Sequence, residues 1–425
     1  MKLETMYVKI VFIILLASST LVASHTTVKN LPGNLGPLPF KLETGYIGVG
    51  EDEDVQLFYF FVESEGSPSE DPIIIWLAGG PGCSNLHAFF FEIGPLKLQN
   101  RDYIDGLPYL ELDPNSWTKL ANIIYLDAPT LTGYSYTTNP EAAHSSDTLS
   151  ATQTAEFIRK FIWDHPKFVD NPMYVTGVSY SGIVIPMITE ELYRGNEEGL
   201  QPILNVKGYM VGNPLTDKSG DVNSRLEYVY HMALIPKELF ESSAKHCNGE
   251  YVEADPNNLR CMSCIDEVNK AEHESAVYWA NDKNVMKALN VKGRVNETRL
   301  CNVDLGYYVG STSLYDFNVL SSVFYHKMLT KRNCRALIFS GDHDMTVPHV
   351  GTRNWISSLN LTITDSNWEP WYTNDDQVGG FKTTYARDNY SLVFATVKGG
   401  SHTTPENRPL ECFEMVQRWF SHKPI

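Results

Sequence analysis

Excess basic charge, long apolar runs and internal repeats are all missing from this chain of 425 residues. Lys and Arg number 34 against 51 Asp and Glu, a formal net charge of −17. A surface of that sign repels phosphate backbones, so no nucleic-acid partner is expected. Beyond the first 24 residues no stretch approaches the ~18 consecutive apolar positions of a membrane-spanning helix. No repeat or low-complexity tract interrupts the chain. Cysteine is sparse at seven. Cys261-Met262-Ser263-Cys264 has a C-x-x-C spacing but no second ligand pair nearby, so no metal is expected.

What is present suits a large folded core. The chain is 43% hydrophobic and 12% aromatic, enough for one core or a core with an inserted subdomain. Lys2 and Lys9, the apolar run 10–17 and the small residues Ser18, Ser19, Ala23 and Ser24 follow the charge, apolar and small-residue order of a signal peptide. Residues 1–24 are therefore expected to be removed. The mature chain is expected in the secretory pathway, secreted or vacuolar, as a monomer with no membrane association. Disulfides are expected there, and an odd cysteine count leaves at least one thiol unpaired. The sequons at Asn296, Asn360 and Asn389 become candidate glycosylation sites.

Short β-branched runs recur at 73–77, 122–126, 173–176, 206–211, 336–340 and 392–397. Several are almost wholly apolar, as strands buried on both faces are. The acidic run 51–54 reads as a hairpin tip ahead of a strand at 55–62. Helical spacing marks 149–163 and 409–420. This alternation argues for an α/β fold with a mostly parallel sheet. Residues 215–330 are polar and cysteine-rich and lack the alternation, so they read as a cap inserted into a single domain over 25–425.

The chemistry is concentrated at strand ends. In Gly177-Val178-Ser179-Tyr180-Ser181-Gly182 a serine stands on a turn between a strand and a helix, close to the G-x-S-x-G elbow but with Ser181 at the fifth position. A serine hydroxyl needs a base, and the base needs an acidic partner. Gly341-Asp342-His343-Asp344 and Gly399-Gly400-Ser401-His402 each follow a strand, and the order Ser, Asp, His is that of α/β hydrolases. On these grounds either Asp342 or Asp344 could supply the carboxylate, and His343 competes with His402. The glycine turn Gly79-Gly80-Pro81-Gly82 can aim the Gly80 N–H at an oxyanion together with that of Tyr180. A phosphate loop is disfavoured because the G-K-[ST] ending is missing.

These motifs, with Leu35-Gly36-Pro37-Leu38-Pro39-Phe40, Glu43-Thr44-Gly45-Tyr46 and Gly208-Tyr209-Met210-Val211-Gly212-Asn213-Pro214, resemble the serine carboxypeptidase family, and more closely its plant acyltransferase branch. The resemblance spans nearly the whole mature chain. It implies an α/β-hydrolase fold, a catalytic triad of Ser179, Asp344 and His402, an oxyanion hole from Gly80 and Tyr180, and disulfides Cys83–Cys301 and Cys247–Cys261. It also implies a substrate-binding set at Ala78, Gly79, Glu92 and Val178. Family carboxypeptidases hold a terminal carboxylate with Asn and Glu at the positions of Ala78 and Val178. The loss of these two polar partners, each worth ~1.5–3 kcal/mol to a charged ligand, disfavours release of C-terminal amino acids. Thr130-Leu131 replaces the usual Val-Gly, and the insertion between Cys264 and Trp279 is shortened, so one continuous chain is expected. The expected activity is acyl transfer from a 1-O-acyl-glucose to an acceptor hydroxyl, without cofactor. A carboxypeptidase and a non-catalytic homologue are the alternatives.

Overall fold

The computed structural model describes residues 25–34, 36–104, 106–233, 237–250, 258, 287 and 314–425. The expected signal peptide, most of the insertion, and Cys261, Cys264, Cys301 and Asn296 lie outside them. The described strands are β1 (His25–Val28), β2 (Leu42–Val49), β3 (Val55–Val62), β4 (Ile73–Leu77), β5 (Leu96–Ile104), β6 (Leu107–Leu112), β7 (Asn122–Leu126), β8 (Tyr136–Thr137) and β9 (Ser145–Ser146). They continue with β10 (Met173–Val178), β11 (Val206–Gly212), β12 (Tyr315–Asp316), β13 (Arg335–Gly341), β14 (Thr362–Ile363), β15 (Glu369–Tyr372), β16 (Val378–Arg387) and β17 (Tyr390–Val397). The described helices are α1 (Asp147–Asp164), α2 (Ser181–Glu197), α3 (Lys218–His231), α4 (Lys237–Cys247), α5 (Val323–Leu329), α6 (His349–Ser357), α7 (Thr404–Asn407) and α8 (Pro409–Phe420).

One sheet dominates, ordered β1-β2-β3-β7-β4-β10-β11-β13-β17-β16-β14. From β7 to β17 neighbours run parallel. The flanks are antiparallel, with the β2–β3 hairpin closing from Val49↔Val55 around the exposed acidic tip. Strand β4 shows why the centre is so apolar: all five of its residues are buried. Ile73, Ile75 and Leu77 enter a core shared with Phe157, Ile158 and Phe161 of α1 and Ile183, Ile185 and Ile188 of α2. Ile74 and Trp76 enter the opposite core with Met415, Val416 and Trp419 of α8. Period-two alternation of the side chains thus serves two helical layers.

The alternation read from the sequence is borne out as an α/β fold, with adjustments at element ends. Helix α1 starts at Asp147 because the Ser146 hydroxyl accepts the Leu149 N–H at 3.2 Å and caps it. Within the span 215–330, α3 and α4 come first, and the returning segment docks on the core. Tyr315 and Leu329 are buried there, and β12 pairs with β9. Cys83 and Cys247 are disulfide-bonded, and their expected partners fall outside the described residues. Cys334 and Cys412 are buried thiols; burial pushes the Cys334 thiol up to about 12, too high for a reactive thiolate. Asn360 and Asn389 are exposed. No described helix is long and apolar enough to cross a membrane.

Candidate active site

The turn from β10 to α2 holds Ser179 at φ 60°, a left-handed conformation that costs a non-glycine residue about 1–2 kcal/mol. Its surroundings enforce that strain. The Ser179 N–H donates to the Gly212 carbonyl at 3.0 Å, and the Ser179 carbonyl accepts from Leu215 N–H at 3.0 Å and Gly182 N–H at 2.9 Å. A Cβ at Gly177 would collide with the Leu77 carbonyl on β4, and one at Gly182 with the Leu215 carbonyl. Both glycines are therefore demanded by close backbone approach. Ser181 is tolerated at the fifth elbow position because its hydroxyl turns back to donate to the Val178 carbonyl at 2.6 Å.

Two further loops meet this serine. A Cβ at Gly341 would run into the Gly400 and Ser401 carbonyls, so the ends of β13 and β17 pack backbone to backbone. From the second loop, His402 Nε2 lies 2.8 Å from Ser179 Oγ. Its Nδ1 lies 2.8 Å from Asp344 Oδ2. The carboxylate can only accept, which places the ring proton on Nδ1 and leaves the Nε2 lone pair facing the hydroxyl. Asp344 is 1% exposed. Its Oδ1 accepts the Thr346 and Val347 N–H groups at 2.7 and 3.2 Å. Asp342 turns the other way and accepts the Gly399 N–H at 2.6 Å. His343 is exposed, 3.9 Å from Asp342. Geometry thus separates the alternatives that motif spacing leaves open, in favour of the Asp344 and His402 implied by the family resemblance.

Asn213 was not singled out from the sequence. It is buried at φ 45°, donates from Nδ2 to Asp344 Oδ2 at 2.7 Å, and accepts from the Thr404 hydroxyl at 2.7 Å. Asp147 was missed as well. Its carboxylate accepts the Tyr180 hydroxyl at 2.6 Å, the Tyr315 hydroxyl at 2.9 Å and the Val319 N–H at 2.9 Å. It ties the residue after Ser179 to the segment returning from the insertion.

Of the expected oxyanion donors, Tyr180 belongs to the elbow itself and Gly80 follows a residue that touches it. Gly79 abuts it closely: a Cβ there would sit 2.8 Å from Ser179 Oγ and 3.2 Å from the Tyr180 nitrogen. Gly80 follows at φ 119°. The turn is braced by buried Asp127, which accepts Ser84 Oγ at 2.9 Å, Asn85 N–H at 2.8 Å and Tyr134 N–H at 3.0 Å. Burial pushes the Asp127 carboxyl up to about 6, against these three donors. In the same loop Leu131 stands at φ 64°, a conformation normally left to glycine.

The expected substrate-binding positions divide between two environments. Ala78 lines a small cavity with Pro81, Ala128, Tyr180, Val184 and Tyr315. Val178 is buried in the α8-side core. Glu92, on a single π-helical turn at Ala88–Glu92, is buried, and that burial raises its carboxyl above the usual range even with His87 and His402 nearby. His87 Nε2 lies 3.5 Å from Glu92 and 3.6 Å from Glu406. Burial opposes its charge, but the two carboxylates hold its imidazole above the ordinary value.

A strand–serine–helix elbow facing a histidine and an aspartate on later strand ends defines the class: an α/β hydrolase. The model of the serine carboxypeptidase family matches residues 32–276 and 263–422, and the chain belongs to that family. It is 42% identical to serine carboxypeptidase-like 17 of Arabidopsis thaliana over 97% of both chains. Serine carboxypeptidase-like 7 of the same plant is 43% identical over 95% of this chain and 94% of its own. The fold is also that of Kex1Δp, a prohormone-processing carboxypeptidase from Saccharomyces cerevisiae, at TM-score 0.74 and 18% identity over 93% of this chain and 95% of that one.

Proposed function

We propose that this chain is an acyltransferase that moves an acyl group from a 1-O-acyl-glucose ester to an acceptor hydroxyl through an acyl-Ser179 intermediate. The observation that carries the reading is a hydrogen-bonded Ser179–His402–Asp344 array beside apolar residues at positions 78 and 178. His402 takes the Ser179 proton as Oγ attacks the ester carbonyl, and the N–H groups of Gly80 and Tyr180 receive the oxyanion. The tetrahedral adduct collapses, and glucose leaves with the proton returned by His402. An acceptor hydroxyl then gives its proton to His402 and attacks the acyl-serine, releasing the new ester and restoring Ser179. The reading places the protein in the secretory pathway, secreted or vacuolar, as a glycosylated monomer.

Purified protein offered a hydroxycinnamoyl glucose and an alcohol is expected to form the transferred ester, with the rate falling about 10³-fold or more in Ser179→Ala. One observation favours a carboxypeptidase instead: Glu92 is retained, buried at 4% exposure. Rapid release of C-terminal residues from peptides with no transferred ester would establish that reading. Failure of an organophosphonate to label Ser179 in folded protein would favour a non-catalytic homologue.

A further inference from the structure

Three side chains far apart in sequence meet at the opposite end of the sheet. Glu43 on β2 pairs across from Phe61 on β3, whose neighbour Val62 faces Ile123 near the start of β7. This is the amino-terminal end of the parallel strands, whereas Ser179 follows the carboxyl end of β10. His25 opens β1 opposite Gly45, diagonal to Glu43 and so on the same face of the ribbon. His165 ends α1.

Their ligand atoms lie within 4.8 Å of one another. His165 Nδ1 is 2.8 Å from the Phe161 carbonyl, which can only accept, so Nδ1 carries a proton. Its Nε2 is 2.9 Å from Glu43 Oε1, and His25 Nε2 is 4.0 Å from Glu43 Oε2. In the neutral ring the Nε2 lone pair therefore points at carboxylate lone pairs, an opposition that either a proton on Nε2 or a metal cation between them resolves. The surroundings match the outer shell of a bound metal. A backbone carbonyl orients one imidazole, and the Tyr59 hydroxyl donates to Glu43 Oε1 at 2.8 Å. Phe161 stacks on the His165 ring at 4.1 Å and limits its rotation. Glu43 and His165 are buried, while the His25 side chain is 31% exposed and leaves a route from solvent.

We infer that His25, Glu43 and His165 bind one divalent zinc ion, which staples the edge strand β1 to β2 and to the end of α1. Two imidazole nitrogens and one carboxylate oxygen form a ligand set suited to Zn²⁺, with solvent completing the coordination. Such an ion restrains an edge strand that otherwise rests on a single ladder.

The test uses the purified protein without a histidine tag, stripped with a chelator and titrated with zinc chloride by calorimetry. One ion per chain is expected, with a rise in Tm of about 2 °C or more at saturating zinc. His25→Ala is expected to weaken binding by about tenfold or more and to abolish the Tm rise, while labelling of Ser179 by an organophosphonate is unchanged. Because Glu43 and His165 are buried and their loss could impair folding, partly exposed His25 is the informative position, and His25→Gln serves as the second variant. No zinc uptake by the wild type would overturn the proposal and leave the cluster as a proton-shared ion pair. Equal affinity in both His25 variants would also overturn it, placing the ion elsewhere. Loss of uptake in His87→Ala would locate it beside the proposed active site and contradict the inference in the same way.

Discussion

Asn213 stands between Asp344 and Thr404, and its amide uses both ends: Nδ2 donates to the carboxylate and Oδ1 accepts the threonine hydroxyl. It touches no reacting atom in the proposed cycle, so it acts by fixing the oxygen that orients His402. A hydrogen bond to a charged group is worth ~1.5–3 kcal/mol. Asn213→Ala should therefore lower kcat by about 10- to 100-fold with little change in KM. Steady-state kinetics on the folded fraction separates this from a purely structural role, which would lower Tm and leave kcat intact. Nothing in the spacing of residues 208–214 pointed to this role, because Asp344 lies 131 positions away and only the parallel β11–β13 pairing brings the two together. Spacing alone likewise leaves Asp342 and Asp344 open, and it is the family resemblance that implies Asp344. Both follow one strand, and the backbone course of a four-residue turn decides which carboxylate faces His402.

At the scale of elements, the elbow is a contract between strands β4 and β10. The Gly177–Leu77 pairing leaves no volume for a side chain, and the obstacle is a backbone carbonyl of a buried strand, which cannot rotate aside. Gly177→Ala should cost about 3 kcal/mol, the upper end for overpacking because the obstacle is immovable backbone, and should appear as a sharp loss of soluble protein or of Tm. Ser181→Gly, by contrast, forfeits one hydrogen bond to Val178, about 1 kcal/mol, and should fold with a Tm only slightly lower. If the alanine variant melts like the wild type, the tight approach of β4 to β10 is wrong. The strands and helices of this unit were readable because apolar runs and glycine turns carry their own signal. The docking of Tyr315 and Val319 on Asp147 was not, because one buried carboxylate serving three partners leaves no periodic trace.

The whole molecule carries buried carboxyl groups that resist ionisation. Burial holds Asp127 up to about 6 and Asp221 up to about 7, despite backbone N–H donors to each. Both folded-state values lie above the unfolded carboxylate range. Their stabilising contribution is therefore complete below about pH 4 and is lost as pH rises through 6 and 7. His326 works in the other direction: burial lowers it to about 3, so its contribution is present above about pH 6.5 and lost as pH falls through that window. Above about pH 6.5 His326 no longer changes, and these two carboxyl groups lower stability as pH rises toward 8. Asp221→Asn removes one of the three, so its Tm relative to the wild type should rise between pH 5 and pH 8. A difference, variant minus wild type, that stays constant or falls over that range would contradict the assignment. The sequence by itself determined the class of fold, the nucleophile and the candidate histidines and aspartates, because strand runs, glycine turns and motif order are local. Motif spacing left Asp342 and Asp344 open and the family resemblance pointed to Asp344; tertiary structure showed why it is that aspartate, and alone decided what supports it and the meeting of His25, Glu43 and His165. Those outcomes depend on strand order and on burial, which no local spacing encodes.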